Sequence, residues 1–256
     1  MYNKKVLKLV EDRKRKYKNI KKHNYKITFK MQNAVCLNDY LMIDSLLAYA
    51  VLKDILGNQF ENVTNSDELI DVPLPLKRTD NIWHASAGVF NVIDTDQGSW
   101  KKRWDSTDNH LVNPNKKRSG KYSLKIDVGS GPNKAYSMPL QLYLTKKISF
   151  YINGNKNEVT RLLQNNIRAV GKKRSQGYGF ILDMKIKKDD QDNSILKNGK
   201  DVMRPVTEGV MYQNTTNFGD VNYIKRYMPV VPPYWNAKES VQALAPENIN
   251  VKGCLE

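Results

Sequence analysis

Nine consecutive residues, Gly171, Lys172, Lys173, Arg174, Ser175, Gln176, Gly177, Tyr178 and Gly179, bring together the groups that hold a phosphodiester chain. Glycines without Cβ let backbone N–H groups close on a phosphate, and Lys172, Lys173 and Arg174 supply charge. Ser175 and Gln176 can hydrogen-bond a sugar or a base edge. Tyr178, set between two glycines, offers a ring for stacking, an interaction of about 1 to 3 kcal/mol per base. The segment is not a Walker A loop, because it follows a predicted helix and precedes a predicted strand, the reverse of what that motif needs. The same context excludes a dinucleotide fingerprint. Nucleotide hydrolysis is therefore disfavoured and no cofactor is expected. The bland alternative is a glycine turn carrying solvated lysines.

Other residues could do chemistry. Metal-independent RNA cleavage needs a base for the 2′-OH proton and an acid for the leaving oxygen. His84, beside Trp83, is the best candidate, although a satisfied, half-buried imidazole is the ordinary explanation of a histidine in an apolar stretch. His23 and His110 have no partner by spacing. Three histidines and two distant cysteines, Cys36 and Cys254, suggest neither a metal site nor a disulfide framework. Asp39 and Asp44 form a carboxylate pair near a helix start, where capping and the helix dipole explain them. Trp100 and Trp104 flank Lys101, Lys102 and Arg103 and could stack bases or cover the core. The tail mixes Arg204, Lys225, Arg226, Tyr234 and Trp235 with prolines, which suits either a strand held on the sheet or packing on a neighbour.

The chain that must position these groups has 256 residues with 42 Lys and Arg against 26 Asp and Glu, a formal net charge of +16. Such an excess concentrates polyanions, of which nucleic acid is the commonest in a cell. A 40% hydrophobic content argues against disorder. The longest apolar run, residues 46–52, is far short of the roughly 20 residues a membrane span needs, so no membrane partner is expected. The opening residues lack the apolar stretch of a secretory signal, and a cytoplasmic protein is expected. Residues 1–30 hold twelve Lys and Arg against Glu11 and Asp12, which is +10 of the +16. Val6, Leu7, Leu9, Val10, Tyr17 and Ile20 give this part a helical stripe over residues 2–22. It reads as a basic extension, 1–24, either solvated or laid on RNA or an acidic partner.

From residue 25 onward the pattern is richer. Ile27, Phe29 and Met31 alternate as in a strand with one buried face. Residues 41–56 carry Leu46, Leu47, Ala50, Val51 and Leu52 at helical spacing, and Gly57 stands where such a helix stops. Residues 82–93 read as a strand or hairpin, 94–138 as a long polar surface insertion, and 140–152 as a strand. Residues 157–170 form an amphipathic helix that leads into the glycine loop and then the strand 180–186. Strand, helix, two strands, helix and strand make an α+β fold of the ferredoxin-like, RRM-like βαββαβ kind. Its antiparallel sheet carries both helices on one face, and the open face of such a sheet is a known platform for RNA.

A helix feeding a basic glycine loop and then a strand resembles the repeat-associated mysterious protein (RAMP) superfamily of CRISPR effector subunits. Within it, the Cas-five-like subunit of type IV complexes is the most similar. The resemblance rests on residues 25–37 leading into Ile43-Asp44-Ser45-Leu46-Leu47-Ala48-Tyr49-Ala50, on Trp83-His84-Ala85-Ser86-Ala87-Gly88-Val89-Phe90, and on the loop ending Arg174-Ser175-Gln176-Gly177-Tyr178-Gly179. It implies a RAMP domain over 25–256 and a non-catalytic protein that caps the 5′ handle of a CRISPR RNA. It also implies backbone and large subunits as partners, with target DNA reached through the complex. His84, Ser86, Lys101, Lys102, Arg103, Arg204, Arg226 and Trp235 become candidate contacts to RNA or to a neighbouring subunit. Some members of the kind process precursor RNA, so a metal-independent endoribonuclease is the alternative. A stand-alone single-strand binding protein would account for the charge and the loop equally well.

Overall fold

The computed structural model describes residues 4–57, 60, 71–104, 119–121, 127–215, 218–247 and 250–251. These form a mixed α/β protein with four helices, α1 (Lys4–Lys18), α2 (Ile43–Leu56), α3 (Lys156–Asn166) and α4 (Glu208–Asn214). The main sheet contains β1 (His23–Met31), β2 (Val35–Cys36), β5 (Val89–Lys102), β6 (Tyr136–Gly154), β7 (Ile181–Lys188) and β12 (Asn250–Val251). Its strand order is β12-β5-β6-β1-β7, with β2 also paired to β6. All its pairings are antiparallel except that of β12 with β5. Three short ribbons complete the described strands: β3 (Arg78–Thr79) with β4 (Ile82–Trp83), β8 (Leu196–Lys197) with β9 (Asp201–Val202), and β10 (Ile224–Pro229) with β11 (Ser240–Ala245).

Alternation in β1 turns Ile27, Phe29 and Met31 to the core, where their exposures are 0, 1 and 6%. Helix α2 buries Ile43, Leu47, Ala50 and Val51, and it ends at Gly57, whose φ of +52° suits a residue without Cβ. Helix α3 starts at Asn155, whose side chain accepts from the Glu158 N–H, and buries Val159, Leu162 and Leu163. These side chains meet those of β1 and β6, and Phe29 packs edge-on against Phe150 with ring centroids 5.2 Å apart. A second cluster, around Val206, Val210, Met211, Val221 and Leu244, gives the C-terminal tail its own small core.

Several expectations are corrected. The residues expected to begin and end the polar insertion, 94–102 and 136–138, are strand, because β5 and β6 continue as a twelve-rung ribbon ending at the pair Lys102 with Tyr136. Both faces of the ribbon are largely wet, so its sequence lacks the alternation that marks a half-buried strand. Lys116, Lys117, Arg118, His110 and Cys254 lie outside the described residues. Helix α3 stops at Asn166 rather than running to 170, and the following residues pair with the far stem of the glycine loop.

The basic extension is docked along one side and exposed along the other. Helix α1 turns Val6, Val10 and Tyr17 inward at 6, 5 and 3% exposure, leaving Leu7 and Leu9 outside, and it packs on α2. Polar contacts fasten it. The Glu158 carboxylate accepts from Tyr17 OH at 2.9 Å and pairs with Arg161 at 2.9 Å and Arg13 at 3.2 Å, while Arg13 also reaches Asp54 at 2.9 Å. Burial opposes the Glu158 charge, yet hydrogen bonds from Arg161 and Tyr17 and the nearby cations win, and its carboxyl falls to about 2. Burial pushes the Tyr17 phenol up to about 12.

A carboxyl whose folded value lies below its unfolded one stabilises the fold at neutral pH, and that contribution is lost as pH falls through the folded value. The docking of α1 should therefore weaken between roughly pH 5 and pH 2, and Glu158→Gln should remove about 1.5 to 3 kcal/mol at neutral pH and flatten the dependence. Amide exchange in α1 followed against pH reads this directly. Equal protection of α1 in both proteins at pH 7 would contradict it.

Candidate nucleic-acid interface

The glycine loop sits on a stem built from backbone hydrogen bonds. Val170 N–H donates to Gly179 O at 2.9 Å and Ile181 N–H to Arg168 O at 2.9 Å, so 168–170 and 179–181 run antiparallel and hold the loop between them. The stem is fastened in turn to the segment after β1. Gln32 N–H donates to Phe180 O at 3.0 Å, Gly179 N–H to Ala34 O at 2.9 Å and Lys172 N–H to Cys36 O at 2.8 Å. Asn33 works from both ends of its amide, accepting from Phe180 N–H and donating to Gly177 O. The tip is a single 3-10 turn, Arg174–Gln176, entered through Lys173 at φ +56° and left through Gly177 at φ +91°.

Two glycines are needed at the base for the same reason, a backbone carbonyl where a Cβ would stand, and both have positive φ. A Cβ at Gly171 would stand 2.6 Å from Cys36 O, and one at Gly179, where φ is +70°, would stand 1.9 Å from Val170 O. Gly177 faces open space, so only its dihedral angle favours glycine. Gly179→Ala should therefore lower stability by more than the roughly 1 to 3 kcal/mol of a strained backbone, whereas Gly177→Ala should stay near that range. Thermal melting of the two variants side by side tests this, and equal losses would contradict it.

The base is held and the tip is bare. Lys172, Arg174, Ser175 and Gln176 are exposed, while Lys173 is half-buried. Lys173 Nζ lies 4.5 Å from the Trp100 ring centre on β5, and the Arg174 guanidinium lies 5.6 Å from that of Tyr49 on α2. These contacts aim the cations without neutralising them, since an aromatic face leaves the charge in place. Tyr178 is half-buried against the cluster of Cys36, Leu140 and Leu142. Its ring is thus partly used in packing, and Tyr178→Ala removes core packing as well as any stacking surface, contrary to the expectation of a free platform. Trp100 also packs on that cluster and donates from Nε1 to Tyr136 OH at 3.0 Å.

The remaining candidates divide by burial. His84, Ser86 and Arg204 are 4, 0 and 0% exposed and cannot touch a ligand or a neighbouring subunit while the fold is intact, which corrects the expectation of a contact role. His84 Nδ1 lies 2.8 Å from Asp192 Oδ2 and Nε2 lies 2.9 Å from Thr79 Oγ1, so both ring nitrogens are engaged. Burial opposes the Asp192 charge, but the bonds from His84 and Ser194 outweigh it and the carboxyl falls to about 2. Ser86 Oγ donates to Ala87 O and accepts from Tyr151 N–H.

Arg204 lies at the join between the two cores. It donates to the carbonyls of Trp83, Ala85 at 3.1 Å and Val230 at 2.7 Å, bonds Tyr234 OH at 2.8 Å, and pairs with Asp44 at 3.1 Å. Burial pushes the Asp44 carboxyl up while the Arg204 guanidinium pulls it the other way. The charges read as a surface contact and a helix cap are therefore a buried pair linking α2 to the tail. Lys101, Arg103, Arg226 and Trp235 remain exposed, and Lys102 is half-buried. Lys101, Lys102 and Arg103 lie at the far end of the β5–β6 ribbon, where Lys102 Nζ stands 5.4 Å from the Trp104 ring centre. Arg226 pairs with Asp39 at 3.2 Å, and Trp235 is 76% exposed on the tail. The structure gathers Lys173 and Trp100 at one place and leaves Arg226 and Trp235 on the C-terminal part.

Sequence reasoning missed a second group of cations. Lys26, Lys30, Lys147, Lys185 and Lys187 are all exposed on β1, β6 and β7. Their signal was present as alternation within each strand, but only the pairing register brings the five to one face. Among the described residues no group of three or more His, Cys, Asp or Glu could hold a metal ion, and no helix is long and apolar enough to cross a membrane.

Fold and loop together define a mixed α/β protein that presents a cation-bearing glycine loop on a fastened stem. The chain belongs to the family described as Csf3, CRISPR type IV associated protein Csf3, whose model matches residues 23–246. The match takes in β1, the loop and most of the tail, and it leaves α1 outside. No curated protein matches the chain. Among solved structures, a similar chain comes from the cryo-EM structure of the Type III-B Cmr-beta bound to cognate target RNA. That chain is 10% identical with a TM-score of 0.36, and the likeness covers 73% of this chain and 68% of that one.

Proposed function

We propose that this chain is a non-catalytic, CRISPR RNA-binding subunit of a type IV ribonucleoprotein. It caps the 5′ handle of the guide RNA with the 171–179 loop and anchors the backbone and large subunits. The observation that carries the reading is the loop itself: a tip carrying exposed Lys172 and Arg174 and half-buried Lys173, on a stem whose backbone groups are already hydrogen-bonded. Such a loop binds without first being ordered, so little of its interaction with a phosphate chain is spent on entropy. Family membership supplies the CRISPR setting.

The fold is ferredoxin-like and of the RAMP kind. Taking β1, β5, β6 and β7 as the first to fourth strands of a βαββαβ unit, the observed order β5-β6-β1-β7 is the 2-3-1-4 arrangement of that unit. Guide and target pair by base complementarity, while this subunit reads backbone, shape and a few handle bases. It acts in the cytoplasm and reaches target DNA through the assembly.

Cleavage of precursor RNA is not assigned to it, because His84, the best candidate for the task by sequence, is enclosed and engaged at both nitrogens. Co-expression with the backbone subunit and a CRISPR RNA should yield a stable assembly that co-purifies. Recovery of the chain alone, with equal affinity for any single strand, would favour a stand-alone binder. Metal-free cutting of repeat RNA, abolished in His84→Ala, would establish the nuclease instead.

A further inference from the structure

The sheet face turned away from α2 and α3 carries a three-by-three array of side chains fixed by strand register. Across β6, β1 and β7 its rows read Tyr151, Lys26, Lys187, then Ser149, Thr28, Lys185, then Lys147, Lys30, Asp183. Five of the nine are lysines and one is a carboxylate. With neighbouring strands about 4.8 Å apart and a rise of about 3.3 Å per residue, the array measures roughly 10 by 13 Å. Lys26 stands directly opposite Lys187, and Lys30 directly opposite Lys147. Like charges placed so destabilise a sheet. Among the described residues none of the five lysines has an ion-pair partner within 4.0 Å. Apart from the contact of Lys26 with the Tyr151 ring, nothing among the described residues offsets the repulsion, and the arrangement fits a polyanion.

The kind of polyanion follows from what the array lacks. A single strand bound on a sheet face is held by bases stacked on exposed aromatic rings. Here the one ring, Tyr151, is 7% exposed, with Lys26 Nζ 5.6 Å and Lys197 Nζ 5.5 Å from its centre. The hydrogen-bonded side chains of Asn24, Asn153 and Asp192 close the array beyond that ring. What remains is a set of ammonium and hydroxyl groups with one carboxylate, Asp183, at its corner. Such groups contact the phosphates of a duplex, whose bases are already stacked and whose backbone carries a charge every 1.7 Å or so of axis.

We propose that this face binds the phosphate backbone of a nucleic-acid duplex, independently of sequence, as a site separate from the glycine loop. The division of labour rests on the reading of the loop as a single-strand site. The test uses the full chain, a short random-sequence DNA duplex, an RNA duplex of the same length, and a single-stranded RNA. Lys30→Gln, Lys185→Gln and Lys187→Gln together should lower the salt slope of duplex binding by about 0.9 for each phosphate left without its cation, so by about 2 to 3, and leave single-strand affinity within about twofold. Whichever duplex suffers this loss is the ligand, and loss on both means that the shared backbone is read. An unchanged duplex slope, in a variant with the wild-type melting temperature, overturns the proposal. Replacing Lys172, Lys173 and Arg174 in the same assay keeps the two readings apart: unchanged single-strand binding there counts against the loop alone.

Discussion

Asp44→Ala should destabilise the protein by about 3 to 5 kcal/mol, because it strands the buried Arg204 guanidinium without its counter-charge. For a chain of this length that is a fall in melting temperature of roughly 6 to 20 °C. The size follows from the surroundings. Both side chains are 0% exposed, and Asp44 Oδ2 also accepts from Tyr234 OH at 2.8 Å. Loss of the carboxylate would therefore leave the guanidinium without its counter-charge and the Tyr234 phenol without its acceptor. A control separates charge from packing. Asp44→Leu combined with Arg204→Met should recover part of the loss, since an apolar pair of similar volume often replaces a buried ion pair at little penalty. Recovery should be incomplete, because the carbonyls of Trp83, Ala85 and Val230 then lose their donor. A single variant that melts like the wild type would show that the two cores do not depend on this pair.

The second large effect lies on binding. Replacing Lys172, Lys173 and Arg174 together by Ala should make the salt dependence of RNA binding shallower by about 0.7 for each phosphate released, so by about 2 if all three cations touch phosphates. Folding should be nearly unaffected. The loop is held by backbone hydrogen bonds to 32–36, which these substitutions leave intact. Within the fold they remove the attractions of Lys173 to the Trp100 ring and of Arg174 to the Tyr49 ring, each worth about 0.5 to 1 kcal/mol. An unchanged slope would remove the three cations from the binding surface. A shallower slope with a collapsed melting temperature would mean that the loop supports the fold instead.

Much of the scaffold was legible in the sequence because a single period governs it. Ile27, Phe29 and Met31 alternate, and Val159, Leu162 and Leu163 recur at helical spacing, so β1 and α3 follow from pattern alone. The β5–β6 ribbon hid behind polar composition, since arms wet on both faces have no alternation to show. The loop could be located by its glycines and cations, but its stem could not, because bonds from 170–181 to 32–36 join segments about 140 residues apart. Arg204 and Asp44 were misread for the same reason. Each charge alone looks like surface chemistry, and only the fold brings them to 3.1 Å inside the protein. Tyr178 shows a subtler limit, in that two flanking glycines suggested a free ring while its packing partners Leu140 and Leu142 lie on another strand.

The docking of α1 bears on how such a subunit uses its charge. The helix holds many of the lysines and arginines, yet Arg13 is spent on Asp54 and Glu158 inside the fold. Under the proposed function, the cations facing outward on the sheet and the loop, rather than the overall net charge, would set where nucleic acid lies.

The most direct measurement is photo-crosslinking of the assembled ribonucleoprotein followed by peptide mapping, with a crosslinkable nucleotide placed at each position of the guide RNA in turn. The account predicts that nucleotides of the 5′ handle, and no others, attach to residues 172–176. Attachment of handle nucleotides elsewhere on the chain, with 172–176 unmodified at every position, would contradict it.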